Sequence, residues 1–290
     1  MPTASATPAC PLCEETDLRV VEETEPPYRV LACKSCELAF VHPIPDRATL
    51  AAAYDTAYYA PWSRQHAAAR RRMWQRRLAH LLCLCPKGGR LLEVGAGDGA
   101  FVELTMAVGY QVVATEFSDA GAREIRRRVP NAEVHVGELV DLPLLARSFD
   151  AVTAWHCLEH MRDPFAAMRE IERLLKPGGV LLLAVPNRHN VPMACLYRCV
   201  KGRPYPLFSL STKEIHLFHF TPRSLRWALR QAGFRVLHLG WDNGMVEPLK
   251  RLVDYVAMIP YMVGGRLWTE AMLVWAQTEG VSTEGPAWIP

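Results

Sequence analysis

The sequence predicts a doubly wound α/β fold, a seven-stranded and mostly parallel sheet with helices on both faces, preceded by a small metal-binding ribbon. Three observations predict it. From Arg90 onward, apolar runs of strand length alternate with amphipathic helical stretches, the pattern of a parallel sheet covered on both sides. The first of these runs breaks into a glycine loop, "LLEVGAGDGAF", Leu91–Phe101. Ahead of them stand two CxxC pairs, "CPLC" and "CKSC".

Composition sets the bounds. A chain of 290 residues, half of them hydrophobic, can bury one large domain with an appendage, or two domains. A net charge of +3 is too small to imply nucleic acid by itself. No apolar run reaches membrane-spanning length, so no membrane partner is expected. The stretch "MPTASATPAC" lacks the charged and apolar regions of a secretory signal. Nine cysteines without an export signal point to a reducing, cytoplasmic setting, where metal ligation is favoured over disulfides. A monomer or homodimer is expected.

Residues 1–45 read as the ribbon. Cys10 and Cys13, then nineteen residues, then Cys33 and Cys36 make two knuckles that together present four thiolates. Such a closed tetrahedral set suits a structural zinc ion. Cys83, Cys85, Cys157, Cys195 and Cys199 lack paired spacing and read as free thiols. Residues 46–85 read as a helical linker or cap contributing to the substrate pocket. "RATLAAAYDTAYYAP" stops at Pro61, and the next stretch carries Met73, Trp74, Leu78, Leu81 and Leu82 at helical spacing. Tyr54, Tyr58, Tyr59 and Trp62 either close a pocket or pack in the core.

Residues 86–290 read as the main domain. Its strands are "RLLEVG", "QVVATE", "EVHVG", "FDAVTAW", "GVLLLAVP" and "FRVLHLGW", with "EAMLVWAQT" as a last strand, antiparallel at the edge. "MVEPLKRLVDYVAMIPYMVGG" reads as an extra helix whose apolar stretch Tyr255–Val263 is a candidate interface.

Ligands of open α/β sheets sit at the carboxyl ends of the strands, where Gly95–Gly99 lies. "GAGDGA" also satisfies the relaxed dinucleotide pattern. Asp98 inside the loop and Glu93 just before it count against a pyrophosphate. They suit a ligand carrying an ammonium and a sulfonium. A tight turn with no ligand is the plainer alternative. Glu116, 21 residues after Gly95, is placed to take both hydroxyls of a ribose. Glu138 ends the third strand, where a carboxylate accepts from an adenine amino group.

The segments "LLEVGAGDG", "ATEFS", "VGELVDLP", "FDAVTAWHCLEHMRDP", "LLKPGGVLLLAVPN" and "HLFHFTPRSLRWALRQAGF" follow one another from about Arg90 to Phe234. In them the chain resembles the class I S-adenosylmethionine-dependent methyltransferases, in the small-molecule group that includes ubiquinone-type O-methyltransferases and natural-product enzymes. The resemblance implies a Rossmann-like core and S-adenosylmethionine as cofactor. It places Glu93, Gly95, Ala96, Gly97 and Asp98 at the methionine end, Glu116 and Phe117 at the ribose, Glu138 and Leu139 near adenine, and Trp155 and His156 beside the sulfonium. Glu138 stands where the family more often has Asp. The text after Tyr28 resembles the leader of zinc-ribbon methyltransferases, some of which act on sugars.

Methyl transfer from a sulfonium is an in-line displacement. Alignment supplies roughly 7–11 kcal/mol in favourable cases, and a general base about 10²–10⁴-fold. His156 and His216 are the candidate catalytic residues. For His156 three readings stay open: base or substrate contact, metal ligand, or buried structural residue. Glu159 and His160 read as a pair bracing the loop. "HCLEH" spells H-x-x-E-H, but it abuts a strand end instead of lying on a helix, so a peptidase site is not expected. In ubiquinone-type enzymes a Glu stands in place of His156 and binds a divalent ion with the Glu and His that follow, and histidine there removes a hard oxygen ligand. His216 and His219 precede a helix capped by Thr221 with Pro222 first.

Asn187–Glu214 is long for its place and reads as a substrate lid at about 187–214. Tyr197, Tyr205 and Phe208 suit a planar acceptor, and Arg198, Lys201 and Arg203 suit an acid. An ordinary surface excursion stays open. The expected function is methyl transfer to a small-molecule acceptor in a biosynthetic pathway. One alternative is an RNA methyltransferase that binds through the ribbon and the arginine-rich helix Arg64–Arg77. The other is a non-enzymatic adaptor with a degenerate cofactor fold.

Overall fold

The computed structural model describes residues 8–53, 66–85, 89–212, 214–244 and 246–279. Strands β1 (Leu18–Glu23), β2 (Arg29–Cys33) and β3 (Ala39–His42) form the antiparallel ribbon. The main sheet is built from β4 (Arg90–Val94), β5 (Gln111–Glu116), β6 (Glu133–Val136), β7 (Phe149–Trp155) and β8 (Leu175–Pro186). A two-residue strand, β9 (Phe218–His219), leaves it to pair with β3 through Ala39↔His219 and Phe40↔Phe218. β10 (Phe234–Trp241) and β11 (Ala271–Thr278) complete the main sheet, in the order β10-β11-β8-β7-β4-β5-β6.

The seven strands are those expected, but their placement corrects one reading. β11 is antiparallel, yet it lies inside the sheet between β8 and β10 and is not an edge strand. The reason is its composition: Ala271–Val274 are all buried, and an apolar strand left at an edge invites pairing with another chain. β10, which exposes Arg235 and Leu237, is the edge instead.

Alternation along the strands fills both faces. Leu92, Val94, Leu181, Leu183 and Val274 point into one core, and Leu91, Ala151, Leu182, Ala184 and Leu273 into the other. The first core runs without a break into the ribbon, through Val30, Leu38, Phe40, Phe218 and Phe220.

The helices are α1 (Arg47–Ala53), α2 (Ala67–Leu84), α3 (Ala100–Ala107), α4 (Asp119–Arg128), α5 (Pro164–Leu174), α6 (Val191–Lys201), α7 (Pro222–Gln231) and α8 (Pro248–Gly264). Local chemistry sets their starts. Asp163 accepts from the Phe165 and Ala166 amides ahead of α5. Thr221 and Ser224 form a reciprocal capping box with Pro222 at the first position of α7, as the sequence predicts. Tyr54, Tyr58, Tyr59, Trp62 and Arg64 lie outside the described residues.

The insertion after β8 does not stand free. It forms α6, and its return leg docks on the ribbon: the Leu207 and Phe208 amides donate to the Glu22 carboxylate at 2.7 and 3.2 Å. Phe208 is buried edge-on against Tyr28, with ring centroids 5.5 Å apart.

Candidate active site

The loop after β4 is held in a conformation that its glycines permit. Gly95, Gly97 and Gly99 have φ of 66°, 59° and 71°, the left-handed region that costs other residues energy. At Gly95 a Cβ would also meet the Cys157 Cβ at 2.7 Å, so the β7 loop packs directly on this turn. At Gly97 a Cβ would have nothing within 4 Å among the described residues. Glu116, at the end of β5, accepts from the Gly97 and Phe117 amides at 2.9 Å each. Ala96 and Leu139 are buried, Phe117 is half-buried, and Glu138 lies 4.0 Å from Arg47, whose guanidinium sits over the Phe117 ring.

Glu93 is the anomaly of this region. It is 2% exposed, and its Oε2 has no hydrogen-bond partner among the described residues. Burial, then the neighbouring Asp98 and Glu116 carboxylates, raise its pKa well above the ordinary carboxylate range. A buried acid in this position calls for a cationic partner. The orphaned oxygen and the open side of Gly97 therefore fit the ammonium and sulfonium of S-adenosylmethionine better than two phosphates.

Asp98 is held by cations from two other helices. Its carboxylate takes Arg70 and Arg128, both at 3.2 Å, and accepts from the Ala100 amide. Trp155 is turned inward. It is 6% exposed in the second core, against Phe101 at 5.4 Å and under the Arg77 guanidinium at 4.6 Å.

The histidine end is one charged network. Arg77 of α2, 3% exposed, donates to Asp242 at 2.6 Å. Asp242 lies 3.3 Å from His156 Nε2, and Glu159 Oε1 lies 3.5 Å from His156 Nδ1. Asp242 only accepts, so its hydrogen bond requires a proton on Nε2, while Glu159 faces Nδ1 at ion-pair distance without a hydrogen bond. Burial lowers the His156 pKa, but Asp242 and Glu159 outweigh it and raise it to about 9. The two carboxylates thus favour the charged form of His156, whose backbone is left-handed at φ 52°. The same histidines keep Glu159 ionised: burial raises its pKa, and His156, His160 and His216 bring it below its ordinary value.

His160 contacts the Ile215 carbonyl through Nδ1 at 2.7 Å, and its ring centroid is 4.8 Å from that of His216. Burial, with His160 beside it, lowers His216 to about 4, so that ring is neutral at physiological pH. His219 is buried in the ribbon pairing, and burial lowers it to about 3. Glu159, His160 and His216 present ligand atoms within 4.8 Å of one another, and neither Glu159 oxygen has a hydrogen-bond partner among the described residues. This set can hold a divalent ion. It differs from the metal set read from the sequence by taking His216 in place of His156.

Arg77 and Asp242 were not singled out by the sequence as site residues. In the sequence Arg77 is one of several arginines in the stretch Arg64–Arg77, and the "WDNG" after β10 carries no motif. In the fold the Arg77 guanidinium lies over the rings of Trp74, on its own helix, and of Trp155.

In the ribbon, Cys10, Cys13, Cys33 and Cys36 converge with all four sulfurs within 4.8 Å. The two knuckles have the same backbone. Glu14 N donates to Cys10 O and Glu37 N to Cys33 O, and both glutamates are left-handed, at φ 62° and 66°. The Cys10–Cys36 and Cys13–Cys33 sulfurs stand 3.5 and 3.6 Å apart. A tetrahedron of sulfurs about 2.3 Å from a central zinc has edges of about 3.8 Å, so the cage fits that ion.

Comparison with known proteins places this architecture. A family model described as a methyltransferase domain matches residues 66–239. A probable S-adenosylmethionine-dependent methyltransferase of Mycolicibacterium smegmatis is 31% identical over 175 residues, covering 60% of each chain. The ubiquinone biosynthesis O-methyltransferase of Xanthomonas axonopodis pv. citri is 34% identical over 184 residues, covering 59% of this chain and 76% of that one. Among the first relatives, those from mycobacteria, the chain spans 60% of one and 45% of another. Two solved structures share the fold. One is an S-adenosylmethionine-dependent methyltransferase from Thermotoga maritima, with TM-score 0.52, 21% identity and coverage of 77% of this chain and 97% of that one. The other is a complex of the Haloferax volcanii Trm112 methyltransferase activator with a methyltransferase, with TM-score 0.55, 19% identity and coverage of 77% and 96%. With the strand order, the glycine loop and the carboxylates around it, these matches make the chain a member of the class I S-adenosylmethionine-dependent methyltransferase family.

Proposed function

We propose that this chain transfers the methyl group of S-adenosylmethionine to a small-molecule acceptor in a biosynthetic pathway, and that its ribbon binds a structural zinc ion. The observations that carry the donor assignment are the buried Glu93 carboxylate, whose Oε2 has no partner among the described residues, and Gly97, with no described atom within 4 Å of an added Cβ. When bound, S-adenosylmethionine supplies an electrophilic methyl group on a sulfonium. The chain holds it with Glu93, Gly95, Ala96 and Gly97 at the methionine end, Glu116 and Phe117 at the ribose, and Glu138 and Leu139 at adenine.

His156 serves as a fixed cation that orients the site, because both its nitrogens face carboxylates. His216 remains as the proton acceptor for the acceptor's hydroxyl, amine or acidic C–H. The cluster Glu159–His160–His216 favours one second reading, in which a divalent ion there binds the acceptor. Two imidazoles and one carboxylate suit a transition metal better than magnesium. The RNA reading keeps Arg71, Arg72 and Arg76, which are exposed on the arginine-rich helix. Arg70 and Arg77 of the arginine-rich helix pair inward with Asp98 and Asp242 and are not presented to solvent.

The test is calorimetry with S-adenosylhomocysteine and with NADH. Binding of the first and not the second is expected, and the reverse overturns the proposal. His216→Gln is expected to lower turnover by about 10²–10⁴-fold at unchanged donor affinity. Turnover lost to a chelator and restored by manganese selects the metal reading.

A further inference from the structure

We propose that α6 and α8 together form a face that docks on an anionic lipid surface. The two helices pack side by side, and among the described residues nothing covers their outer side. On α8, Leu252, Tyr255, Val256, Ile259, Met262 and Val263 are all exposed, Met262 at 77% and Val263 at 85%. Steps of three and four residues put them on one stripe. The opposite stripe, with Asp254 and Ala257, is the buried one. Leu196 and Val200 of α6 are exposed beside it. Single exposed apolar residues are ordinary, but a contiguous stripe marks an interaction surface.

Charge selects the partner. From Arg188 to Thr212 the sequence has no Asp or Glu, and Arg198, Lys201 and Arg203 are exposed there. Just past the C-terminus of α8, Arg266 is exposed and shares a groove of about 860 Å³ with Arg223, Arg226 and Arg230 of α7 and with one acid, Glu37, which pairs with Arg223 at 3.5 Å. Neither Arg266, Arg226 nor Arg230 has a carboxylate within salt-bridge distance among the described residues. A second copy of this chain docking isologously would set these cations near their own counterparts. An apolar stripe rimmed by Lys and Arg matches instead a helix lying in the headgroup plane of an anionic bilayer. No helix is long and apolar enough to cross a membrane, so the contact is peripheral. The inference is independent of the acceptor's identity.

The experiment is co-sedimentation of the full chain with phosphatidylcholine vesicles, with and without phosphatidylglycerol, across a salt series. Binding to the anionic vesicles, weakened by salt, is expected. Met262→Glu with Val263→Glu is expected to lower partitioning roughly tenfold or more. Lys201→Glu is expected to lower it severalfold, toward the behaviour on neutral vesicles. All variants are expected to keep the wild-type thermal midpoint and S-adenosylhomocysteine affinity. Absence of binding, or binding that these substitutions leave unchanged, overturns the proposal. So does light scattering that shows a dimer converted to monomer by Met262→Glu, since a second copy then covers the stripe.

Discussion

The donor half of this molecule, around β4, β5 and β6, is built from neighbours in sequence, and the histidine half is built from strangers. Glu93 to Asp98 are contiguous, and Glu116 reaches the loop across 19 residues to meet Gly97. On the other side, Arg77 meets Asp242 across 165 residues, His156 meets Asp242 across 86, and His160 meets Ile215 across 55. The donor half therefore depends on loop conformation, and the histidine half depends on the whole fold being in register. The ribbon belongs to the second kind. Val41 N donates to Leu217 O at 2.9 Å and Leu217 N to Glu159 O at 2.8 Å, a backbone path from the cysteine cage to the buried glutamate.

The largest effect that separates the halves is expected from Cys36→Ser. In small zinc modules the metal's binding energy, on the order of 10 kcal/mol, is folding energy. Hydrogen exchange should lose protection over β1–β3 and at residues 217–219, while β4–β6 amides and S-adenosylhomocysteine affinity stay near wild type. Uniform loss of protection across both halves would show that the ribbon supports the entire fold and not the histidine side alone.

Next is Asp242→Asn. Arg77 and Asp242 are 4% and 5% exposed at their side chains, so the substitution strands a buried guanidinium. Removing one partner of such a pair costs about 3–5 kcal/mol, a fall in thermal midpoint of roughly 10 °C. The double variant with Arg77→Leu should recover much of the loss. A single variant as stable as the wild type would mean that the pair contributes nothing.

This contrast also explains what the sequence revealed. A turn that needs three left-handed glycines and a carboxylate at a set distance leaves a short, readable signature, so the loop, Glu116 and the strand series were legible. The cysteine knuckles were legible for the same reason. Asp242 and Arg77 were not, because one buried acid after a strand and one arginine among many look ordinary until the fold brings them together. β9 is too short for periodicity to show, and for β11 the sequence predicts the antiparallel direction found but an edge position that the structure gives to β10. The partners of Asp98, Arg70 and Arg128, come from two other helices, so its pairing has no local signature.

A middle-sized effect should come from Glu93→Gln. Losing a charge-assisted contact of about 1.5–3 kcal/mol corresponds to roughly 10- to 100-fold weaker S-adenosylhomocysteine binding. Ligand-free stability should move the opposite way. Folding raises the Glu93 pKa, so the native state holds its proton more tightly than the unfolded chain. Its contribution is present at low pH and is lost as pH rises above the ordinary carboxylate value. Gln removes that downward slope and should raise the midpoint at neutral pH. Titrating the thermal midpoint against pH for both proteins checks the sign, and parallel curves would mean that the carboxylate is solvated.

The smallest effect gives the finest distinction, between a glycine kept for its conformation and one kept for its ligand. Gly95→Ala places a methyl group against the Cys157 Cβ and should destabilise through that clash. Gly97→Ala meets nothing within 4 Å among the described residues, so its stability cost should be only the left-handed penalty of about 1–2 kcal/mol. If the donor lies against that open side, its affinity should fall by more than the change in fold stability explains. Thermal midpoint and calorimetric Kd, measured on the same Gly97→Ala sample, separate the two. A midpoint shift with unchanged Kd would assign Gly97 to backbone geometry alone and move the donor's approach away from this face of the loop.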